Sequence, residues 1–272
     1  VALVGWQSDT RAPAAPVLVR AALALNVFCI IEPLVGVGWQ WALAASNDRS
    51  ISAHRYFLLG SSLWLVYALD RWLDARSGRP ITTRHAFFAR QRERLVVPWC
   101  AVLFGSVALA LVTLTHDEWL ACAALLALAA LYLFAVHRLG LPPSLKKVGV
   151  AIIFALGAGV FLWPTASDPQ SLAFGQLILA ALAACNLAAI TAFESRQSAR
   201  LRPRVARMCL SLGAALVATS WLLPRGLFVL FFASAGSLLG LGALLSRAKP
   251  VEPELGHALS DALLLVPVLP WL

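Results

Sequence analysis

Trp119-Leu-Ala-Cys-Ala-Ala-Leu-Leu-Ala-Leu-Ala-Ala-Leu-Tyr-Leu-Phe-Ala-Val136 carries no charge, and Asp117, Glu118 and Arg138 fence it at its ends. An uncharged apolar run of this length is what a helix needs to cross a hydrocarbon core roughly 30 Å thick. The composition around it agrees: 60% of the 272 residues are apolar, only 13% are charged, and the mean hydropathy is +0.80. Spanning helices of about 20 residues each use nearly all of such a chain, which excludes a separate soluble catalytic domain.

Working outward from that run, charges and prolines divide the chain into nine expected spans. They are 16–45, 56–73, 95–115, 119–136, 147–163, 171–193, 206–223, 227–245 and 258–272. The expected fold class is therefore all-α, a polytopic membrane helical bundle of about nine transmembrane helices. Residues 1–15 form a short cytoplasmic tail and 16–272 a single transmembrane domain. The first span is overlong and holds Arg20, Asn26, Glu32 and Pro33; the last is short.

Loop charge orients the bundle, because Lys and Arg accumulate on the cytoplasmic side. Arg76, Arg79, Arg84, Arg90, Arg92 and Arg94 follow the second span, whereas Asp117 and Glu118 follow the third. Arg138, Lys146 and Lys147 follow the fourth, Asp168 alone the fifth, and Arg196, Arg200, Arg202 and Arg204 the sixth. The N-terminus is expected in the cytoplasm and the C-terminus outside. The net charge of +9 is thus accounted for by short loops facing lipid, with no nucleic-acid partner expected.

Several features carry bland readings. The five cysteines lie singly in apolar runs and read as buried thiols. Most of the ten tryptophans, including Trp99, Trp119 and Trp163, fall at span ends as interfacial anchors. No lysine-rich leader with an Ala-x-Ala site opens the chain, so no removable signal is expected. No P-loop, HExxH, GxSxG, CxxCH or dinucleotide fingerprint occurs.

Acidic groups near membrane depth need a cavity, a partner or an interface, since a carboxylate at a span centre costs about 2.5–3.5 kcal/mol. Asp70 and Asp74 close the second span in Val66-Tyr-Ala-Leu-Asp70-Arg-Trp-Leu-Asp74, and their i,i+4 spacing puts both on one helix face. A hard cation such as magnesium, with phosphate oxygens completing its shell, relieves their repulsion. Pairing with Arg71 or loop arginines is the equal alternative. Asn186, Ile190 and Glu194 form a second line at i, i+4 and i+8, open to ligation or to interhelical hydrogen bonding. Lys146 and Lys147, in a proline-bearing loop between these acidic ends, offer ammonium groups for a diphosphate or orienting charge for the bilayer. Asn26 and Glu32 could line an acceptor cavity. Asp261 could line it too, but its place near a span end beside His257 and Ser260 favours interhelical hydrogen bonding or snorkelling. His85 sits in a basic amphipathic stretch suited to the membrane surface or to a lid.

Nine spans, a cytoplasmic N-terminus and polar lines closing spans two and six resemble the UbiA superfamily of intramembrane prenyltransferases over nearly the whole chain. Asp70 and Asp74 match the last two aspartates of the family's NDxxDxxxD motif, whose leading pair is Val66-Tyr67 here. Arg79-Pro80 looks like the Arg-Pro that often follows it, and Leu145-Lys146-Lys147 like the Leu-Lys-Arg segment before span five. Asn186, Ile190 and Glu194 stand in the register of the second aspartate motif, with one carboxylate left.

The resemblance implies a magnesium-dependent transfer of a polyprenyl group from a polyprenyl diphosphate to a lipophilic or aromatic acceptor. In that case Asp70 and Asp74 are catalytic, and Asp70, Asp74, Asn186 and Glu194 hold metal. Arg71, Lys146 and Lys147 bind diphosphate, and Asn26 and Glu32 face the acceptor. The expected location is the bacterial inner membrane, among membrane lipids, with the site near the cytoplasmic face. The alternative is a non-catalytic UbiA-like protein that transports or binds lipid, consistent with the missing aspartates.

Overall fold

The computed structural model describes residues 28–76, 91–194, 198–247 and 253–272. Asn26, Arg79, Pro80 and His85 lie outside them, as do the side chains of Asp74 and Glu194. Among the described residues the secondary structure is helical, without strands. The helices are α1 Ile31–Ser46, α2 Ala53–Arg76, α3 Arg92–Thr113, α4 His116–Arg138, α5 Pro143–Ala158, α6 Pro169–Glu194, α7 Ser198–Ser220, α8 Arg225–Ser246 and α9 Pro253–Leu263. Two 3-10 turns follow α5 and α9, at Trp163–Thr165 and Val266–Trp271.

Four of these helices, α3, α4, α6 and α8, are long and apolar enough to cross a membrane. The others fall short for local reasons. Described lengths of 16 residues in α1 and α5 and 11 in α9 are below a full span. The polar ends of α2 and the arginines opening α7, among them Arg200, Arg204 and Arg207, lower their hydropathy.

Side-chain capping at a helix start is seen at α4, whereas the starts of α1, α3, α5 and α8 have no side-chain cap bond. At α4, Thr115 and Glu118 form a reciprocal capping box. The expected span 147–163 ends early, because α5 stops at Ala158. There the Gln176 amide on α6 donates to the carbonyls of Ala155 at 3.0 Å and Leu156 at 3.3 Å. Trp163 Nε1 donates to Gln176 Oε1 at 3.0 Å and holds that amide in place. The expected span 258–272 divides into α9 and a 3-10 segment, where Pro267 and Pro270 remove backbone donors. Conversely, α7 begins at Ser198, eight residues before the expected 206, because its arginines are helical.

The core lies along α1, α6 and α8, where Trp39, Leu43, Leu179, Leu182, Leu230 and Leu238 are almost wholly buried. The spanning stretches of α3 and α4 are only 6% and 11% buried. Phe104, Leu111, Val112, Leu131 and Phe134 on them are exposed apolar groups that suit contact with lipid tails. Close packing of α7 on α8 depends on small residues: Cβ positions at Gly213 and Gly242 would each stand 3.2 Å from a backbone carbonyl, of Ala235 and Ala206.

Two polar clamps join α2 to α4. Arg55 Nε donates to Glu118 Oε1 at 2.6 Å, and His137 Nε2 lies 3.2 Å from Asp70 Oδ1. Arg55 and Glu118 begin their helices while Asp70 and His137 end them, so α2 and α4 run parallel.

Gly226, in the first turn of α8, is where that helix meets the end of α1: a Cβ there would collide with the Ser46 carbonyl oxygen. Backbone cannot swing aside as a side chain can. Gly226→Ala is expected to destabilise the bundle by about 1–3 kcal/mol, read as an earlier tryptophan-fluorescence melt in detergent. Gly105→Ala, where a Cβ meets nothing within 4 Å, is the control expected to melt with the wild type.

Candidate functional site

Four helices direct polar groups into one chamber of about 180 Å³. Glu32 enters from the first turn of α1, Tyr67 and Arg71 from one face of α2, Asn186 from α6, and His257 and Asp261 from α9. Apolar residues of α5, Val150 and Phe154, close it. Tyr67 lies within electrostatic reach of Glu32, Arg71, Asp261 and Asp70.

At its centre is Asp261, 5% exposed. Asn186 Nδ2 donates to Asp261 Oδ1 at 2.8 Å, and His257 Nε2 lies 3.2 Å from Asp261 Oδ2, one helical turn away. Asn186 is 3% exposed, and its Oδ1 is buried with no hydrogen-bond partner. That oxygen is an acceptor held in reserve on the chamber wall, and a buried unsatisfied amide oxygen calls for a bound donor or cation.

A second, apolar cavity of about 70 Å³ adjoins the chamber. Leu63 and Val66 of α2, Ala129 and Leu133 of α4 and Ile153 of α5 line it, with Asp70 at its polar end. Tyr67, Val150 and Phe154 wall both cavities. Asp70 and Arg71, adjacent in sequence, therefore serve different cavities.

Of the residues expected at a site, the structure brings Glu32, Arg71 and Asn186 into one chamber and puts Asp70 beside it. Lys146 and Lys147 are half-buried in the first turns of α5 and contribute to the lining of neither cavity. The Lys146 carbonyl accepts from the Tyr132 hydroxyl at 3.2 Å. Asp74 lies one turn beyond Asp70 on α2, and Glu194 ends α6. Among the described residues no group of three or more His, Cys, Asp and Glu converges in a way that could hold a metal ion.

Four participants stand outside the expected set: His137, Tyr67, Asp261 and His257. His137 falls just past the apolar run of α4, where a titratable residue reads as loop. Tyr67 reads as one of the departures from the NDxxDxxxD pattern. Asp261 makes the interhelical bond its sequence context allows, yet it sits inside the chamber; its i,i+4 spacing from His257 is the available signal. No protein-family model matches the chain, and neither does any curated protein or solved structure.

The Asn186–Asp261 bond links α6 to α9 where water is scarce, so truncating Asp261 strands the Asn186 amide and truncating Asn186 takes one donor from Asp261. In a double-mutant cycle of Asn186→Ala and Asp261→Ala, equilibrium unfolding in mixed micelles should return a coupling of about 1–3 kcal/mol. Additive losses would mean the bond contributes nothing net.

Proposed function

We propose that this chain is a magnesium-dependent intramembrane prenyltransferase of the UbiA type, moving a polyprenyl group from its diphosphate to a lipophilic or aromatic acceptor. The observation that carries this reading is the junction of the two cavities at Tyr67, Val150 and Phe154, with Asp70 on the apolar side and Arg71 on the polar side. A polyprenyl diphosphate is a hydrocarbon chain ending in a multiply charged head, and it needs those two environments in contact.

The nine helices among the described residues, in the order of the nine apolar runs, support a nine-span bundle. Asp70, Arg138, Lys146 and Lys147 then lie toward the end rich in loop arginines, the cytoplasmic end by the charge rule, with the N-terminus on that side. The location this implies is the bacterial inner membrane.

The donor chemistry fits magnesium: Asp70 and Asp74 supply carboxylates one turn apart, and a hard ion that keeps its waters needs only one or two carboxylates beside phosphate oxygens. Glu194, at the end of α6, is the third candidate ligand. Asn186 turns its nitrogen to Asp261, which moves its role to the chamber. Bound magnesium supplies positive charge to the departing diphosphate. Arg71 adds a guanidinium suited to bidentate phosphate contact, and Lys146 and Lys147 add charge at the mouth. His137 fixes one oxygen of Asp70. The rings of Tyr67 and Phe154 offer π-density to an allylic cation and, with Val150, keep water from it.

A second reading, a membrane protein that binds lipid or an ion without chemistry, draws on the Asp70–His137 and Asn186–Asp261 pairs, in which the polar groups partly satisfy one another.

The test is diphosphate release by purified protein in nanodiscs given geranylgeranyl and longer polyprenyl diphosphates, with magnesium or with chelator. Release should require magnesium and fall at least about 100-fold in Asp70→Asn. Folded protein that neither releases diphosphate nor binds it in a magnesium-dependent way would leave the lipid-binding reading in first place.

A further inference from the structure

The first three turns of α7 hold charge that neither cavity uses. Arg200, Arg204 and Arg207 are exposed, and Ser211, Ala215 and Ala218, exposed as well, continue their line down the same helix. Spaced i, i+4, i+7, i+11, i+15 and i+18, the six fall within one arc of about 80°. Arg202, between them in sequence, turns elsewhere: its guanidinium stands 5.6 Å from the centre of the Phe193 ring and donates to the Arg247 carbonyl at 3.3 Å. Arg207 Nε donates to the Pro203 carbonyl one turn back at 3.4 Å, which leans its guanidinium toward Arg204. No Asp or Glu occurs between Glu194 and Glu252, so neither α7 nor its partner α8 offers a carboxylate to the stripe. The stripe also stands at the positive end of the α7 dipole, with no acidic residue in the first turn. Three cations gathered there call for an external anion. Orienting charge alone would be served by basic residues anywhere around the helix, not by a single outward face that runs on into small side chains.

We propose that this face of α7 is a docking site for an anionic glycerophospholipid, its phosphate-bearing headgroup held by Arg200, Arg204 and Arg207 and one acyl chain lying along Ser211, Ala215 and Ala218. The dimensions match: the stretch from Arg207 to Ala218 rises about 16 Å, the hydrocarbon depth of one leaflet in a core of about 30 Å. Guanidinium forks suit phosphate oxygens, which accept two parallel N–H bonds. Small side chains let an acyl chain lie close to the helix, and the Thr219 hydroxyl beside Ala218 donates to the Ala215 carbonyl at 2.9 Å, so it presents the chain with no unmet donor. Because α7 is seated on α8 through Gly213 and Gly242, a lipid held here braces that hairpin. The site is separate from both cavities and does not rest on the prenyl-transfer reading.

The experiment titrates dioleoylphosphatidylglycerol or dioleoylphosphatidylcholine into the full chain in dodecylmaltoside micelles and reads bound lipid by native mass spectrometry. The wild type should prefer phosphatidylglycerol, and the preference should shrink as salt rises. Each basic side chain at an anionic headgroup contributes roughly fivefold in affinity, so replacing Arg200, Arg204 and Arg207 together by Gln should cost about 100-fold for phosphatidylglycerol and leave phosphatidylcholine unchanged. Arg225→Gln, at the far end of the α7–α8 hairpin, should bind as the wild type does. Ala215→Trp, which fills the small-residue face and keeps every arginine, should lower phosphatidylglycerol affinity as well; an unchanged affinity would overturn the placement of the chain. Equal binding of the two lipids by the wild type, or a triple variant within about threefold of it, would overturn the site. Displacement of the lipid by excess inorganic phosphate would show capture of a free anion and overturn the lipid as occupant. Should the triple variant melt earlier than the wild type, the three single variants decide: each is expected to lose roughly fivefold with its melt intact, and none doing so overturns the site.

Discussion

A carboxylate buried among apolar helices must be solvated by the protein itself, and the bond from Asn186 to Asp261 does this across the bundle. Its consequences extend beyond the pair. With 11 residues, α9 is too short to fix its own depth or rotation. The Asn186 amide ties it to α6, and Trp39 of α1 adds a second point by donating from its indole to the Leu264 carbonyl, just past the end of α9, at 2.8 Å. Helices α1, α6 and α9 therefore meet at a set angle, and the polar chamber is the space their meeting leaves. His257 reaches that space because it shares a face of α9 with Asp261.

The apolar cavity depends on a different device. Helices α2 and α4 are held at both ends by Arg55–Glu118 and Asp70–His137, and between those clamps the lining is aliphatic and aromatic, with Tyr67 and Tyr132 among it. Glu118 has two duties, since the carboxylate that caps α4 also receives Arg55. Multiple hydrogen bonds to this buried carboxylate make it worth more than an exposed ion pair of the same geometry. Ala129 and Leu133 of α4 face this cavity, while most of its apolar spanning stretch faces outward.

What the sequence makes legible follows from where the determining contacts lie. Helices α3, α4, α6 and α8 coincide with their expected spans within a few residues because an uncharged run and its flanking charges are local properties. The end of α5 is not local: Gln176, distant in sequence, caps Ala155 and Leu156. The arginines opening α7 read as loop charge because charge density cannot tell a loop from a helix end at an interface. In the site, the i,i+4 spacings of Asp70 with Asp74 and of His257 with Asp261 are visible in sequence, but their pairing with other helices is topological. Nothing in the run 119–136 announces that the next residue, His137, meets Asp70, or that Asn186 meets a side chain 75 positions away.

Charge in the chamber sets a condition on what can enter. Glu32 and Asp261 place two carboxylates on its wall against the single guanidinium of Arg71, and Asp70 stands at the adjoining cavity. A diphosphate brought alone into such surroundings would meet more negative than positive charge in a medium that screens poorly, where opposed charges interact several times more strongly than in water. A carboxylate-rich wall and a multiply charged anion become compatible when a divalent cation enters with the anion and bridges the two, the same condition that relieves Asp70 and Asp74 on neighbouring turns of α2.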